Sequence, residues 1–310
     1  MKKAKRTEIR KRTGWEWQRT RVFGVKTVRY ILLLAFTFAY IYPLLYMNTV
    51  SLMDVKDLAN PSVTWIPSSI YTGNYEKALK VLNLGNTLPV SLLLSAVPAL
   101  LQTVAAGLTG YGLARYQFPG RKVIIVLIVT TFFIPPQITM IPKYMLFSRL
   151  GLLETPLCIL LPALGGQGIN SAIFVLVFYQ FFDSYPVSLD EAAKLDGASD
   201  WTIFWKIALP VSVPAMIISL LFSFVWYWNE TYISSLFLNG TWQSLTIALK
   251  NFSFSFSRMY PTVPGSIANQ LSEGVTMAAT NISILPLALF YLLVQRQFVE
   301  SVDKSGITGI

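Results

Sequence analysis

The chain of 310 residues has no histidine and a single cysteine, Cys158. Without histidine it lacks the side chain that most often serves as a general base near neutral pH and as a metal ligand. One cysteine forms neither an internal disulfide nor a cysteine-rich metal centre. Charge is scarce as well: 13% of the residues are charged, where a soluble domain carries about 25%. No G-x-x-x-x-G-K-[ST] loop occurs, so the chain has no P-loop cradle for a nucleotide phosphate. No catalytic, cofactor or metal site is therefore expected in it.

What the chain has in abundance is apolar surface. Hydrophobic residues make up 54% of it, and its mean hydropathy is +0.52. Its 17 prolines are more easily tolerated in membrane helices than in soluble ones. The expected class is an all-α polytopic membrane protein. A bilayer core takes about 20 mostly apolar residues per helix. Six stretches qualify: Tyr30–Leu52, Thr87–Ala114, Val123–Ile141, Pro156–Phe182, Val211–Trp228 and Val275–Val294. None contains Lys, Arg, Asp or Glu within those limits. Proton-coupled carriers bury ionisable groups along their pathway, and cation channels use rings of acids. Neither is expected here, although sodium coupling through carbonyls and hydroxyls stays open. The energy source is expected to lie outside the chain.

The net charge of +10 is concentrated at one end. Met1 to Arg29 carries eleven Lys and Arg against Glu8 and Glu16. A basic tail before a hydrophobic span stays in the cytoplasm, and six crossings return the C-terminus to the same side. A nucleic-acid arm is the rival reading of the tail, opposed by its fusion to a span. The apolar run is too long for a cleaved signal peptide. The expected organisation is a cytoplasmic tail at 1–29, a first span at 30–52, an extracytoplasmic loop at 53–85, a core at 86–295 and a cytoplasmic tail at 296–310.

Between the fourth and fifth spans lies a soluble-looking island, DEAAKLDGASDWTIFWKIALP, from Asp190 to Pro210. Ser188-Leu189-Asp190-Glu191 has the capping-box form, which predicts a helix start with Ser188 at the cap. That helix is expected to run to about Asp196, with Gly197 turning left-handed at its end. A second helix is expected from Ser199 or Asp200 to Leu209-Pro210. Helices this short are marginal alone in water. Small residues Ala192, Ala193 and Gly197 and the aromatic Trp201, Phe204 and Trp205 are the expected outer faces. They suit docking into a partner's groove, where a few anchors carry most of the energy. The rival is an amphipathic hairpin lying on lipid, disfavoured at an anionic surface by the four acids from Asp190 to Asp200.

The spacing here resembles the EAA loop of ABC importer permeases: E-A-A, three residues, G, nine residues, I-x-L-P. Glu191-Ala192-Ala193, Gly197 and Ile207-Ala208-Leu209-Pro210 match every position. TGYGLARYQFPGRK at Thr109–Lys122 is similar to the segment after the second span of carbohydrate-class permeases, with Gly110 and Gly112 where alanine is usual. IPKY at Ile141–Tyr144, LGLLET at Leu150–Thr155 and WNE at Trp228–Glu230 fit as well. The likeness runs from about Asn86 to the C-terminus and looks most like the smaller of the two maltose-type permease subunits.

The resemblance implies a six-helix type I importer permease in the bacterial inner membrane, non-catalytic itself. Its implied partners are a second homologous permease, two ATP-binding subunits, an extracytoplasmic sugar-binding protein and the lipid bilayer, with no nucleic acid. ATP is bound by the partner ATPases, so no cofactor is implied here. Glu191, Ala192, Ala193, Gly197, Asp200, Leu209 and Pro210, within the loop at 186–210, are the implied ATPase-coupling residues. Ser301–Ile310 is an implied further contact with the ATPases. Trp228, Asn229, Tyr232 and Phe254 are candidates for the substrate path or the binding-protein contact, against an interfacial aromatic belt. An ABC permease for another solute, such as polyamine or phosphate, shares the EAA loop. A membrane enzyme is opposed by the missing histidine and the lack of paired acids in the spans. A channel or carrier would work without an ATPase.

Overall fold

The computed structural model describes residues 2–261 and 271–307, with side chains described at 25–261 and 271–297. The basic side chains before position 25, residues 262–270 and the side chains of the C-terminal tail lie outside those residues. Among the described residues every regular element is helical. In chain order they begin with α1 (Lys2–Ser51), α2 (Val55–Leu58), α3 (Gly73–Leu82), α4 (Leu84–Arg115), α5 (Arg121–Phe133) and α6 (Pro136–Arg149). Next come α7 (Leu157–Leu164), α8 (Ser171–Ser184), α9 (Val187–Leu195), α10 (Asp200–Ile203), a π-helical turn (Phe204–Ala208) and α11 (Leu209–Val211). The chain continues through α12 (Val213–Asn229), α13 (Tyr232–Leu238), α14 (Leu245–Lys250), α15 (Phe252–Met259) and α16 (Glu273–Ile307).

The chain divides into two compact units, Met1–Tyr75 with Ser272–Ala278, and Glu76–Leu271 with Ala279–Ile310. In the first, the carbonyls at the end of α1 are left without helical partners. Asn74 supplies the donor, its Nδ2 donating to Ser51 O at 3.0 Å and Met53 O at 2.8 Å. Gly274 lets this contact form, since a Cβ there would lie 2.6 Å from Asn74 Nδ2.

The second unit is organised around α4, which packs on α7, α8 and α12. α4 carries Pro89 and Pro98 inside it, and its hydroxyls bond back to its own carbonyls, as polar side chains in an apolar medium do. Ser91, Ser95 and Thr103 each donate to the carbonyl four residues earlier, at 2.6–2.8 Å. The crossing with α8 is a close one. A Cβ on Gly110 would lie 2.6 Å from Phe178 Cβ and 2.8 Å from Tyr179 N, whereas one on Gly112 would meet nothing within 4 Å. The departure from alanine at 110 therefore has a physical cause, helix contact through a side chain reduced to hydrogen, and the departure at 112 has none in the structure. Phe174, Phe178 and Phe182 of α8 fill the core with Tyr111 and Phe204.

Among the described residues, three helices are long and apolar enough to cross a membrane, and three bent pairs bring the possible number to six. Two of the expected spans are not continuous. Val123–Ile141 breaks between α5 and α6 with a bend of 99°, because Ile134 precedes Pro135 and takes the extended conformation that a following proline favours (ψ 115°). Pro156–Phe182 breaks at 165–170, where Gly166 and Asn170 have φ of +69° and +53°, outside any right-handed helix. The expected span from Val211 starts instead at Val213, after a bend of 76°. Beyond the first break, α6 runs past the expected limit at Ile141 on to Arg149 and so carries Lys143.

Candidate functional site

The island folds as a helical hairpin. α9 ends in a left-handed cap at Gly197 (φ +80°): Gly197 N donates to Lys194 O and Ala198 N to Ala193 O, each at 3.0 Å. These are the paired bonds of a Schellman ending. The next helix starts at Ser199, whose Oγ accepts from Thr202 N at 3.3 Å, an N-cap. The expected capping box is not formed as expected. α9 begins at Val187 with Pro186 as its cap, so Ser188 lies inside the first turn. Pro186 can cap without losing a hydrogen bond because it has no N–H to satisfy.

Two expected outer residues point inward. Ala193 is buried, and Phe204 is 2% exposed, its ring 5.2 Å from that of Tyr111 on α4. Glu191, Ala192 and Gly197 are exposed, together with Leu195, Trp201 and Trp205. Lys194 Nζ pairs with Asp200 Oδ1 across the hairpin at 3.0 Å. Leu209 is half-buried and Pro210 exposed. The outer surface thus joins small residues to large apolar ones, and the inner surface is bolted to the helices behind it.

The bolt is Arg115, the last residue of α4. Its Nε lies 3.2 Å from Asp190 Oδ2, with both side chains nearly buried. Its Nη2 donates to Tyr185 O at 2.8 Å, and its guanidinium lies over the Tyr185 ring at 4.4 Å. Tyr185 O is a carbonyl at the C-terminus of α8, left without a helical partner. A cation at the end of α4 and an acid in the first turn of α9 also suit both helix dipoles. Burial, then the Asp190 charge, raises the Tyr185 phenol above its ordinary value. Tyr116 is raised by burial first and then by Asp200. Arg115 was not among the site residues expected from sequence. The only signal for it was its place at the end of an apolar span, inside the TGYGLARYQFPGRK segment.

Deeper in the second unit, α5, α6, the break between α7 and α8, and α13 enclose a cavity of about 520 Å³, within the range of small-molecule sites. Its back wall is a buried hydrogen-bond net. Tyr227 Oη donates to Gln102 Oε1 at 2.8 Å and accepts from Ile169 N at 3.2 Å. Gln102 Nε2 donates to Ile169 O at 2.8 Å and Ser223 Oγ at 3.2 Å. A Cβ on Gly168 would lie 2.0 Å from Gln102 Oε1 and 2.3 Å from Tyr227 Oη. The net satisfies both the N–H and the C=O of Ile169 in the helix break, as irregular chain in an apolar medium requires. The four aromatic-region candidates lie elsewhere: none of Trp228, Asn229, Tyr232 and Phe254 lines this cavity. Trp228 is buried against Phe224, Asn229 Nδ2 donates to Val225 O, and Tyr232 and Phe254 are exposed.

A polytopic helical bundle with broken spans and a bolted EAA hairpin defines an integral-membrane permease of the type I ABC importer fold. Residues 87–304 match the family described as binding-protein-dependent transport system inner membrane component, and the chain belongs to that family. It is 30% identical to the osmoprotective compounds uptake permease protein GgtD of Synechocystis sp., over 98% of this chain and 97% of that one. It is 28% identical to the polygalacturonan/rhamnogalacturonan transport system permease protein YtcP of Bacillus subtilis, over 90% and 96%. Among solved structures it is similar to a bacterial ABC transporter involved in the import of the acidic polysaccharide alginate. That match has a TM-score of 0.70 and 24% identity and covers 90% of this chain and 97% of the other; at that identity it speaks for the fold.

Proposed function

We propose that the chain forms half of the translocation pathway of an ATP-driven, binding-protein-dependent sugar importer. It supplies no catalysis itself and takes its driving force through the hairpin at 186–210. In this reading both termini and the hairpin are cytoplasmic. A second permease completes the pathway, two ATPases grip the hairpins, and an extracytoplasmic receptor delivers the sugar. The names of relatives support a saccharide cargo: YtcP for polygalacturonan/rhamnogalacturonan, AmyC of Thermoanaerobacterium thermosulfurigenes for starch degradation products.

The observation that carries this reading is mechanical. The exposed Ala192 and Gly197, with Glu191 beside them, form a face of small residues that a partner can approach closely. The same hairpin is fixed to α4 through Arg115 and Asp190, and α4 runs back past Gln102 at the cavity wall. Movement imposed on the hairpin is thereby handed to the helix that borders the cavity. Asp200 closes the hairpin with Lys194, and Leu209 and Pro210 lead into the bend before α12.

The test is ATP-driven sugar uptake by the reconstituted complex carrying Gly197→Arg. Transport is expected to fall to background while membrane insertion and basal ATPase activity persist, because a long side chain blocks seating. Gly197→Asn is the control for backbone strain, since asparagine tolerates the left-handed conformation, and it is expected to transport. Normal uptake by Gly197→Arg, or accumulation of sugar against a gradient by this chain alone, would overturn the reading.

A further inference from the structure

The cavity holds a cation that no described residue neutralises. Lys143, on α6 beyond the 99° bend, is the only Lys or Arg among the described residues that line it. It has no ion pair and no hydrogen bond among the described residues. Glu230, the acid that lines the same cavity, makes no ion pair with Lys143 and is turned to the start of α13, where its charge faces a helix N-terminus: its oxygens accept from Ile233 N at 2.6 Å, Ser234 N at 2.9 Å and Ser234 Oγ at 2.9 Å. An unpaired ammonium in a membrane helix is costly, and such residues mark substrate or ion paths.

Two further features of the same cavity favour negative charge. The N-terminus of α8 opens onto it through Asn170, Ser171 and Ala172, with no side-chain cap on its first turn, and a helix N-terminus attracts anions. Ser171 is 5% exposed, and its Oγ, itself buried, has no hydrogen-bond partner, so an unused donor lies beside that terminus. The remaining polar lining includes Thr109, Thr131, Thr139, Gln167, Tyr227 and Ser234, which matches hydroxyls rather than a second charge.

We propose that this cavity binds a sugar bearing a carboxylate, a uronate residue, with Lys143 as the counter-charge and Ser171 as a donor to the same group. This rests on the importer reading and narrows its cargo. The shared chemistry is an anion held beside hydroxyl partners, and a lipid headgroup phosphate is the other source of such an anion.

The experiment measures equilibrium binding of labelled digalacturonate and of neutral digalactose to the assembled transporter without receptor, in phosphatidylcholine nanodiscs. Wild type and Lys143→Arg are expected to prefer digalacturonate by about ten-fold, about 1.4 kcal/mol. Lys143→Gln is expected to lose that preference while keeping its affinity for digalactose, which shows that the cavity is intact. Ser171→Ala is expected to lose part of it. Equal affinities in wild type, binding of neither sugar, or an undiminished preference in Lys143→Gln overturns the proposal. Loss of the preference when phosphatidylglycerol is added at constant ionic strength overturns it in favour of a lipid site. The importer reading falls separately, on the Gly197→Arg uptake assay.

Discussion

The hairpin and the cavity are made in different ways. From Val187 to Val211 the chain builds a feature out of neighbours: a Schellman ending at Gly197, an N-cap at Ser199 and an ion pair between Lys194 and Asp200. The cavity gathers single residues from distant stretches, Lys143 from α6, Gln167 and Ser171 from a helix break, and Tyr227 from α12. A local feature survives small changes elsewhere and needs only one anchor. A gathered one depends on every contact that sets its walls. The two should therefore respond to substitution in opposite patterns, and the predictions below are chosen to expose any failure of that contrast.

The largest effect is expected at the anchor. Arg115→Ala or Asp190→Ala leaves an unpaired charge in a nearly buried place, which costs about 3–5 kcal/mol. Hydrogen exchange should show the hairpin losing protection while the α4–α8 crossing keeps its own. A paired replacement by apolar residues should be far milder, because neither charge is then stranded. Global unfolding in place of local loosening would mean that the hairpin is not a separable element.

Next in size are the glycines of the packed helices. Gly110→Ala drives a methyl group into Phe178 Cβ and Tyr179 N, an overpacking cost of about 1–3 kcal/mol. Gly112→Ala meets open space and should fall within about 0.5 kcal/mol of wild type. Thermal unfolding in detergent compares them. Gly168→Ala belongs with Gly110→Ala in size, since it must displace Gln102 or Tyr227 from their shared bond, but it should act on sugar binding too. If Gly168→Ala left binding unaffected, the net at 102, 169 and 227 would not be shaping the cavity.

The contrast also explains what was legible beforehand. The hairpin could be read from one line of sequence, because caps and left-handed turns have fixed offsets and residue preferences. Even there the inward turn of Ala193 and Phe204 was missed, because which face of a short helix is buried depends on α4 behind it. The helix breaks had a visible cue in Pro135-Pro136 and in Gly165-Gly166-Gln167-Gly168, but hydropathy alone smooths such breaks into one span. Lys143 lies just past the expected end of the third span, at Ile141. Its role depends on α6 folding back at the bend, which composition does not encode. Gln102 and Tyr227 looked like ordinary members of apolar helices. Only their convergence on Ile169 gives them a task.

The smallest predicted effect concerns pH and applies to the hairpin alone. Tyr116 and Tyr185 beside it both have phenols raised by burial and by neighbouring acids. The unfolded chain then releases these protons first, so the folded hairpin is favoured fully below the ordinary tyrosine value of about 10 and progressively less as pH rises past it. Hydrogen-exchange protection of Val187–Val211, corrected for intrinsic exchange, should be flat from about pH 7 to 9 and decline above about pH 10. Tyr185→Phe should shrink that alkaline decline while leaving the plateau in place, since the ring under Arg115 is kept and only the titrating hydroxyl is removed. A decline already complete by pH 9 would point to a different group and would separate the hairpin's stability from the Arg115–Tyr185 contact.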